Sequence, residues 1–324
     1  MVAWARSVWR RAVTPQGYLR VATALLAVMF LVVSSGAFVR LTASGLGCDH
    51  WPRCGAAPFP TQGNHHAIIE FSNRFIASIG VALALFATLA SRKVAGLSRV
   101  GRLSVLLAFL GAAAQIPLGG VTIMLKLNPL AVMAHFLLGL LVLGLAVIAA
   151  TEAWSLTVGR APAVDPPWLR HVIAWLGVPA AAALVVTGAV ATASGPHPGA
   201  QKGVKRLGVS IVDTVYVHVR AAAVFGIGFL LLGWFLLRLR ARYPGLARIW
   251  VVTLVVLVGQ MVLGEVQYRN ALPWGLVLLH VCLAATLWAL ALFIAYALWR
   301  PPAPLAAEAV SRTVAAPLAR VVEE

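Results

Sequence analysis

Eight long apolar stretches constrain this chain more than any other feature. A helix that crosses the hydrocarbon core of a bilayer needs about 20 mostly apolar residues. Stretches of that kind lie at 17–39, 67–91, 101–124, 129–152, 169–193, 210–237, 246–268 and 273–299. They fill most of the 324 residues and leave no room for a separate soluble domain. The 61% hydrophobic and 11% charged content is equally foreign to soluble domains. The expectation is an all-α integral membrane protein with eight transmembrane helices.

A formal net charge of +17 raises nucleic acid as a partner, but the placement of the charge argues against it. Eight spans put both termini on one side of the membrane. Arg6, Arg10, Arg11 and Arg20 precede the first span, and Arg92, Lys93, Arg99 and Arg102 fill the second connection. Arg160 and Arg170 flank the fourth; Arg238, Arg240, Arg242 and Arg248 surround the sixth; Arg300, Arg312 and Arg320 lie in the tail. Seventeen of the 26 basic residues thus share one side, which the positive-inside rule makes cytoplasmic, with both termini. Arginines ahead of an apolar stretch also mark signal peptides. Here the stretch is long and lacks a small-residue cleavage site, so it reads as a retained span. The short segment before it argues against a mitochondrial transit peptide and for a bacterial plasma membrane.

The spans repeat. Gln115-Ile116-Pro117-Leu118-Gly119 is followed by His135, and Gln260-Met261-Val262-Leu263-Gly264 by His280, with a Gln-to-His separation of 20 in both copies. At the same offset of 145, Val121 matches Val266, Leu127 matches Leu272 and Leu138 matches Leu283. Gly36-Ala37 and Thr42-Ala43-Ser44-Gly45 after the first span are echoed by Gly188-Ala189 and Thr192-Ala193-Ser194-Gly195 after the fifth. An even number of spans per copy gives parallel repeats, related by an axis along the membrane normal. Two four-helix halves are expected, residues 1–160 and 161–300, followed by a disordered cytoplasmic tail at 301–324.

Three histidines, His135, His218 and His280, fall within spans. Ionisable residues in a bilayer are costly and usually mark function. His218 and His280 lie at matching depth, roughly 10–12 Å from the outer ends of their helices at 1.5 Å rise per residue. Equal depth on neighbouring helices suits two imidazoles ligating one haem iron. The offset carries His280 onto His135, but it carries His218 onto Asn73, so one half lacks the second ligand. Zinc fits less well, because Cys282 points to another face of the helix from His280 and no compact tetrahedral set is evident. The competing account is that each histidine is an interhelical packing residue.

Between Arg40 and Glu70 lies the remaining polar chemistry. Cys48 and Cys54 flank Trp51-Pro52 in an outer loop, where a disulfide is plausible, as a staple or as an exchanging thiol pair. Glu70 shares a helix face with Asn73 and Arg74, and His66 stands one turn earlier. Glu70 reads either as the partner of an Arg74 ion pair or as a carboxylate aimed at a substrate beside His135. Arg40, Arg74, Arg220 and Arg269 fall at outer span ends, where an arginine either pairs with haem propionates or snorkels to the interface. Gln115 and Gln260 suit hydrogen bonds across helices, to a ligand imidazole or as interhelical glue.

Together these residues resemble the haem A synthase family. The resemblance runs through Gly36-Ala37-Phe38-Val39-Arg40-Leu41-Thr42-Ala43-Ser44-Gly45-Leu46, Cys48, Trp51-Pro52 and Cys54. It continues through Ile69-Glu70-Phe71-Ser72-Asn73-Arg74, Gln115-Ile116-Pro117-Leu118-Gly119-Gly120, His135, His218 and His280, and covers all eight spans. It implies a membrane oxidoreductase that converts haem O to haem A, oxidising a ring methyl to a formyl group for cytochrome oxidase. By the same resemblance His218 and His280 hold a haem b, and His135 is one ligand of the substrate haem. Glu70 matches the catalytic glutamate, and Cys48 and Cys54 match the outer-loop pair. Implied partners are the haem O-making prenyltransferase and an electron donor. Asn73 departs from the pattern, since many members carry a histidine there. Either the substrate haem is five-coordinate through His135, or Asn73 binds it, or His66 substitutes. The first account suits chemistry best, and His66 lies about 10 Å along the axis from position 73.

Two rivals lack the chemistry: a dihaem b-type electron carrier, and a haem-binding chaperone or transporter. Glu70, the cysteine loop and the unequal ligand pairs speak against the carrier. The prenyltransferase itself would need aspartate clusters for Mg²⁺-diphosphate, whereas Asp49, Asp165 and Asp213 are scattered.

Overall fold

The computed structural model describes residues 13–48, 51, 54, 60, 64–201 and 203–310. Arg6, Arg10, Arg11, Asp49, Pro52, Arg312 and Arg320 lie outside the described residues. Eight helices are long and apolar enough to cross a membrane: α1 Pro15–Leu41, α2 His65–Ser91, α3 Arg99–Met124, α4 Pro129–Val158, α5 Pro167–Ser194, α6 Ile211–Arg238, α7 Pro244–Arg269 and α8 Trp274–Trp299. Among the described residues there is no strand, only isolated bridges at Ser44–Ala200 and Arg160–Pro302. Helices satisfy every backbone group within the segment, which is what a water-free core demands.

Local chemistry sets the ends. Thr14 caps α1 by accepting from Gly17 N–H at 3.1 Å, with Pro15 at the first position. Asn64 and Ser98 cap α2 and α3 in the same way, each at 3.0 Å. The C-termini of α3 and α7 share an unusual exit. Lys126 and Leu127 follow α3 with positive φ, and Ala271 and Leu272 follow α7 likewise. Leu127 N–H then reaches back to Thr122 O at 2.7 Å, and Leu272 N–H to Gln267 O at 2.8 Å, the six-to-one bond of a Schellman turn.

Small residues let the helices approach. Ala84, Ala87, Ala108, Ala112, Ala146 and Ala149 sit in one buried cluster shared by α1–α4 and Ala285 of α8. A second cluster joins α5–α8 around Phe225, Phe229 and Trp250. α8 also packs on α4 and α1, and α5 on α4. Trp288 of α8 donates to Leu140 O at 2.8 Å across that seam. Large apolar side chains such as Phe86, Ile227, Leu231 and Val255 point outward, the reverse of a water-soluble surface.

Two expectations change. α4 continues past 152 to Val158, because Glu152 is fully buried and fully partnered rather than a span terminator. Its carboxylate accepts from Arg160 at 2.6 Å, Tyr296 Oη at 2.6 Å, Arg300 at 3.1 Å and the Ser98 hydroxyl. Part of the expected tail, residues 301–310, packs against the bundle. Leu305 and Ala306 enter the core beside α7, and Ala307 N–H donates to Arg242 O at 2.9 Å. Only the remainder of the expected tail, 311–324, lies outside the described residues.

Candidate functional site

A cavity of about 420 Å³ opens among α1–α4, closed on one side by Ala189 and Thr192 of α5 and by Val277 and Val281 of α8. Small-molecule and cofactor sites typically span about 300–1,000 Å³. Its polar lining converges from separate helices: Arg40 from α1, Glu70, Asn73 and Arg74 from α2, Gln115 from α3 and His135 from α4. Apolar walls of valine, alanine and isoleucine surround these groups.

Glu70 is buried at 4% exposure and held from two sides. Cys48 N–H donates to one carboxylate oxygen at 2.9 Å, and Arg74 Nη2 donates to the other. Cys48 is disulfide-bonded to Cys54, so that bridge and the α2 carboxylate form one unit. Glu70 thus pairs with Arg74 and also lines the cavity. Trp51 of the same loop packs over Gly120, where a Cβ would come within 3.2 Å of the indole.

His135 sits under α3. Gln115 Nε2 donates to the His135 carbonyl at 2.9 Å, and Gln260 Nε2 to the His280 carbonyl at 3.0 Å. The glutamines thus clamp the histidine backbone across helices and leave the rings untouched. In both places a glycine makes room for the ring. A Cβ at Gly119 would stand 3.4 Å from His135 Cε1, and one at Gly264 would stand 3.2 Å from His280 Cε1. Nδ1 of each ring is buried without a hydrogen-bond partner among the described residues.

His218 lies against Gly188 of α5, with Thr187 Oγ1 3.1 Å from its Nδ1. The His135 ring on α4 lines the cavity, whereas His218 on α6 and His280 on α8 lie outside its lining, although Val281 beside His280 belongs to it.

Other expected residues fall elsewhere. Arg220 is exposed and stacks on Tyr216, 3.1 Å from the ring centroid, away from the cavity lining. Arg269 pairs with Glu265 at 2.5 Å in the open. Arg40 lines the cavity, but its guanidinium donates to the carbonyls of His197 at 3.1 Å and Thr192 at 2.9 Å. That ties α1 to the α5–α6 loop. His66 has both ring nitrogens engaged, by Ser44 Oγ at 2.9 Å and Gln201 Nε2 at 3.2 Å, and does not line the cavity. Ser35 and Thr187 escaped the sequence reading. Each immediately precedes a repeated Gly-Ala pair, so extending that match by one residue would have found them.

Among the described residues no three His, Cys, Asp or Glu side chains cluster as a metal site. A metal held by one or two imidazoles must bring its other ligands with it, and a metalloporphyrin does that. The donor set, the buried imidazoles backed by glycine and the size of the cavity fit a haem.

Eight apolar helices, four of them around an imidazole-bearing cavity, define a multi-pass membrane protein with a cofactor-sized site. The family model for cytochrome oxidase assembly proteins, COX15-CtaA, matches residues 19–292, and the chain belongs to that family. It is also similar to the heme A synthase of Bacillus pumilus (strain SAFR-032), 30% identical over 141 residues. That alignment covers 43% of this chain and 46% of the relative, so the chain spans less than half the length of the relative it matches.

Proposed function

We propose that this protein is a haem A synthase, a membrane oxidoreductase that converts a methyl group of haem O to the formyl group of haem A. The observation that carries the proposal is the convergence of His135 and an anchored Glu70 on one cavity. Membership of a cytochrome oxidase assembly family supports it. In this reading the two halves are parallel repeats with both termini in the cytoplasm of a bacterial cell. The matching Gln–His clamps and the twin exits of α3 and α7 support the repeat.

The substrate haem would be held by His135, and a haem b by His218 and His280. Iron in a porphyrin supplies the redox chemistry; the side chains bind, orient and shield. His135 is fixed by the Gln115 clamp, and apolar walls keep bulk water away. Glu70 sits beside the substrate, where a carboxylate accepts a proton or stabilises positive charge developing at the oxidised carbon. Arg74 holds Glu70 in register and faces the same cavity, where it suits a haem propionate. Arg220, out on the surface beside the paired histidines, would serve the haem b propionates only after leaving Tyr216. The haem O-making prenyltransferase would supply the substrate. Oxidation of the methyl to a formyl group removes four electrons and adds one oxygen atom. With dioxygen as oxidant in two successive hydroxylations, an electron donor would supply the four further electrons that reduce the remaining oxygen to water.

The test is a haem extract of cells with and without the gene, resolved into types b, O and A. Gene-dependent haem A is the expected result. Extra haem b without haem A points to an electron carrier, and bound haem O returned unchanged points to a chaperone.

A further inference from the structure

Ser35 and Thr187 precede matching Gly-Ala pairs, in α1 and α5. Each reaches across to the position 62 residues before another histidine within a span, His135 in one half and His280 in the other. Thr187 Oγ1 lies 3.1 Å from His218 Nδ1, and Ser35 Oγ lies 2.8 Å from Asn73 Oδ1. The adjacent glycines face the same side chains. A Cβ at Gly188 would meet His218 Cε1 at 3.0 Å, and one at Gly36 would meet Asn73 Oδ1 at 3.9 Å. Asn73 therefore stands in the socket of His218's counterpart and is gripped by an equivalent hydroxyl.

That grip decides which end of the side chain is left over. A neutral imidazole held at Nδ1 keeps Nε2 for a metal. A primary amide held at its oxygen keeps only Nδ2, which carries two hydrogens and acts as a donor. Its lone pair is delocalised into the carbonyl and is a poor metal ligand. Asn73 lines the cavity together with His135, and among the described residues its Nδ2 has no hydrogen-bond partner. Ser35 Oγ also lies 3.2 Å from the Val32 carbonyl, but the hydroxyl carries a single hydrogen, and the contact to Asn73 Oδ1 at 2.8 Å is the shorter of the two.

We propose that Asn73 is a hydrogen-bond donor in the substrate-haem site rather than an iron ligand. Oriented by Ser35, it offers amide N–H groups to whatever small ligand occupies the open face of an iron held by His135. The two halves then differ in coordination: two imidazoles in one, and one imidazole plus a donor in the other. This inference rests on the haem reading above. A donor of this kind favours a polarised ligand on the iron, a role that a second axial histidine would forbid.

Carbon monoxide is the probe, added to the reduced, haem-loaded full-length protein, with the C–O stretch read by infrared or resonance Raman spectroscopy. A donor near the bound oxygen strengthens back-donation and lowers the stretch. Asn73→Leu should keep the carbon monoxide complex but shift its stretch to higher frequency, and Ser35→Ala should broaden the band. Asn73→His should abolish the complex and turn that haem low-spin. The low-spin signal of the second haem in the same preparations reports that each variant is folded. An unchanged stretch in Asn73→Leu overturns the donor role, as does a wild-type protein whose haems are all six-coordinate and refuse carbon monoxide. A carbon monoxide complex that survives His135→Ala overturns instead the haem assignment on which the inference stands.

Discussion

Glu152 offers the sharpest energetic test, because a single buried carboxylate ties α4 to α8 and to the start of α3. It has no exposed surface and accepts from four groups: Ser98, Arg160, Tyr296 and Arg300. Hydrogen bonds to a charged group contribute about 1.5–3 kcal/mol each, and removing one member of a buried ion pair costs about 3–5 kcal/mol. Arg160 and Arg300 keep 29% and 37% of their side-chain surface open, so solvent recovers part of that loss. The expected cost of Glu152→Ala is about 3 kcal/mol. Glu152→Gln should cost about half as much, since an amide oxygen still accepts from Tyr296 and Arg300. The control is Glu265→Ala. Its pair with Arg269 is 59% and 76% exposed, and such pairs contribute about 0–1 kcal/mol. Reversible denaturation of the detergent-solubilised protein measures all three. Equal costs for Glu152→Ala and Glu265→Ala, within about 0.5 kcal/mol, would refute the reasoning that burial and multiple partners set the strength of this cluster.

Three further outcomes are expected. Glu70→Gln should lower haem A formation by about 10²–10⁴-fold, the usual range for a proton-transfer group, while haem content stays unchanged; pigment extraction reads both. Gly188→Ala sets a methyl 3.0 Å from the His218 ring, whereas Gly226→Ala on α6 meets nothing within 4 Å. Only the former should disturb the low-spin haem spectrum. Replacing both Cys48 and Cys54 by serine frees the loop whose Cys48 N–H anchors Glu70. Haem A formation should then fall with His135-dependent haem still bound, and full activity in that variant would show that the loop serves stability alone.

Much of the fold was legible because a bilayer allows little choice. A stretch of about 20 apolar residues can satisfy its backbone only as a helix, so spans such as 17–39 and 246–268 lie within two residues of the observed ends at both termini. The same logic failed where polarity is cancelled locally. The expected span stops at Glu152, which is interior and accepts from two arginines, and residues 301–310, expected in the tail, bury Leu305. The site was half legible. His135, Glu70 and Arg74 share the cavity as their types suggested, whereas Arg220 and His66 do not line it.

Pattern alone determined the eight helices, the matched Gln–His spacing and the break in symmetry at Asn73, because these follow from periodicity, charge and counting along the chain. Tertiary structure decided what those residues face. It turned Gln115 and Gln260 toward backbone carbonyls rather than rings, spent both nitrogens of His66 on Ser44 and Gln201, and set Ser35 against Asn73. A hydrogen bond between α1 and α2 depends on distances between helices 38 residues apart in sequence. No local pattern encodes such a distance; the packing of small residues along the helix faces sets it.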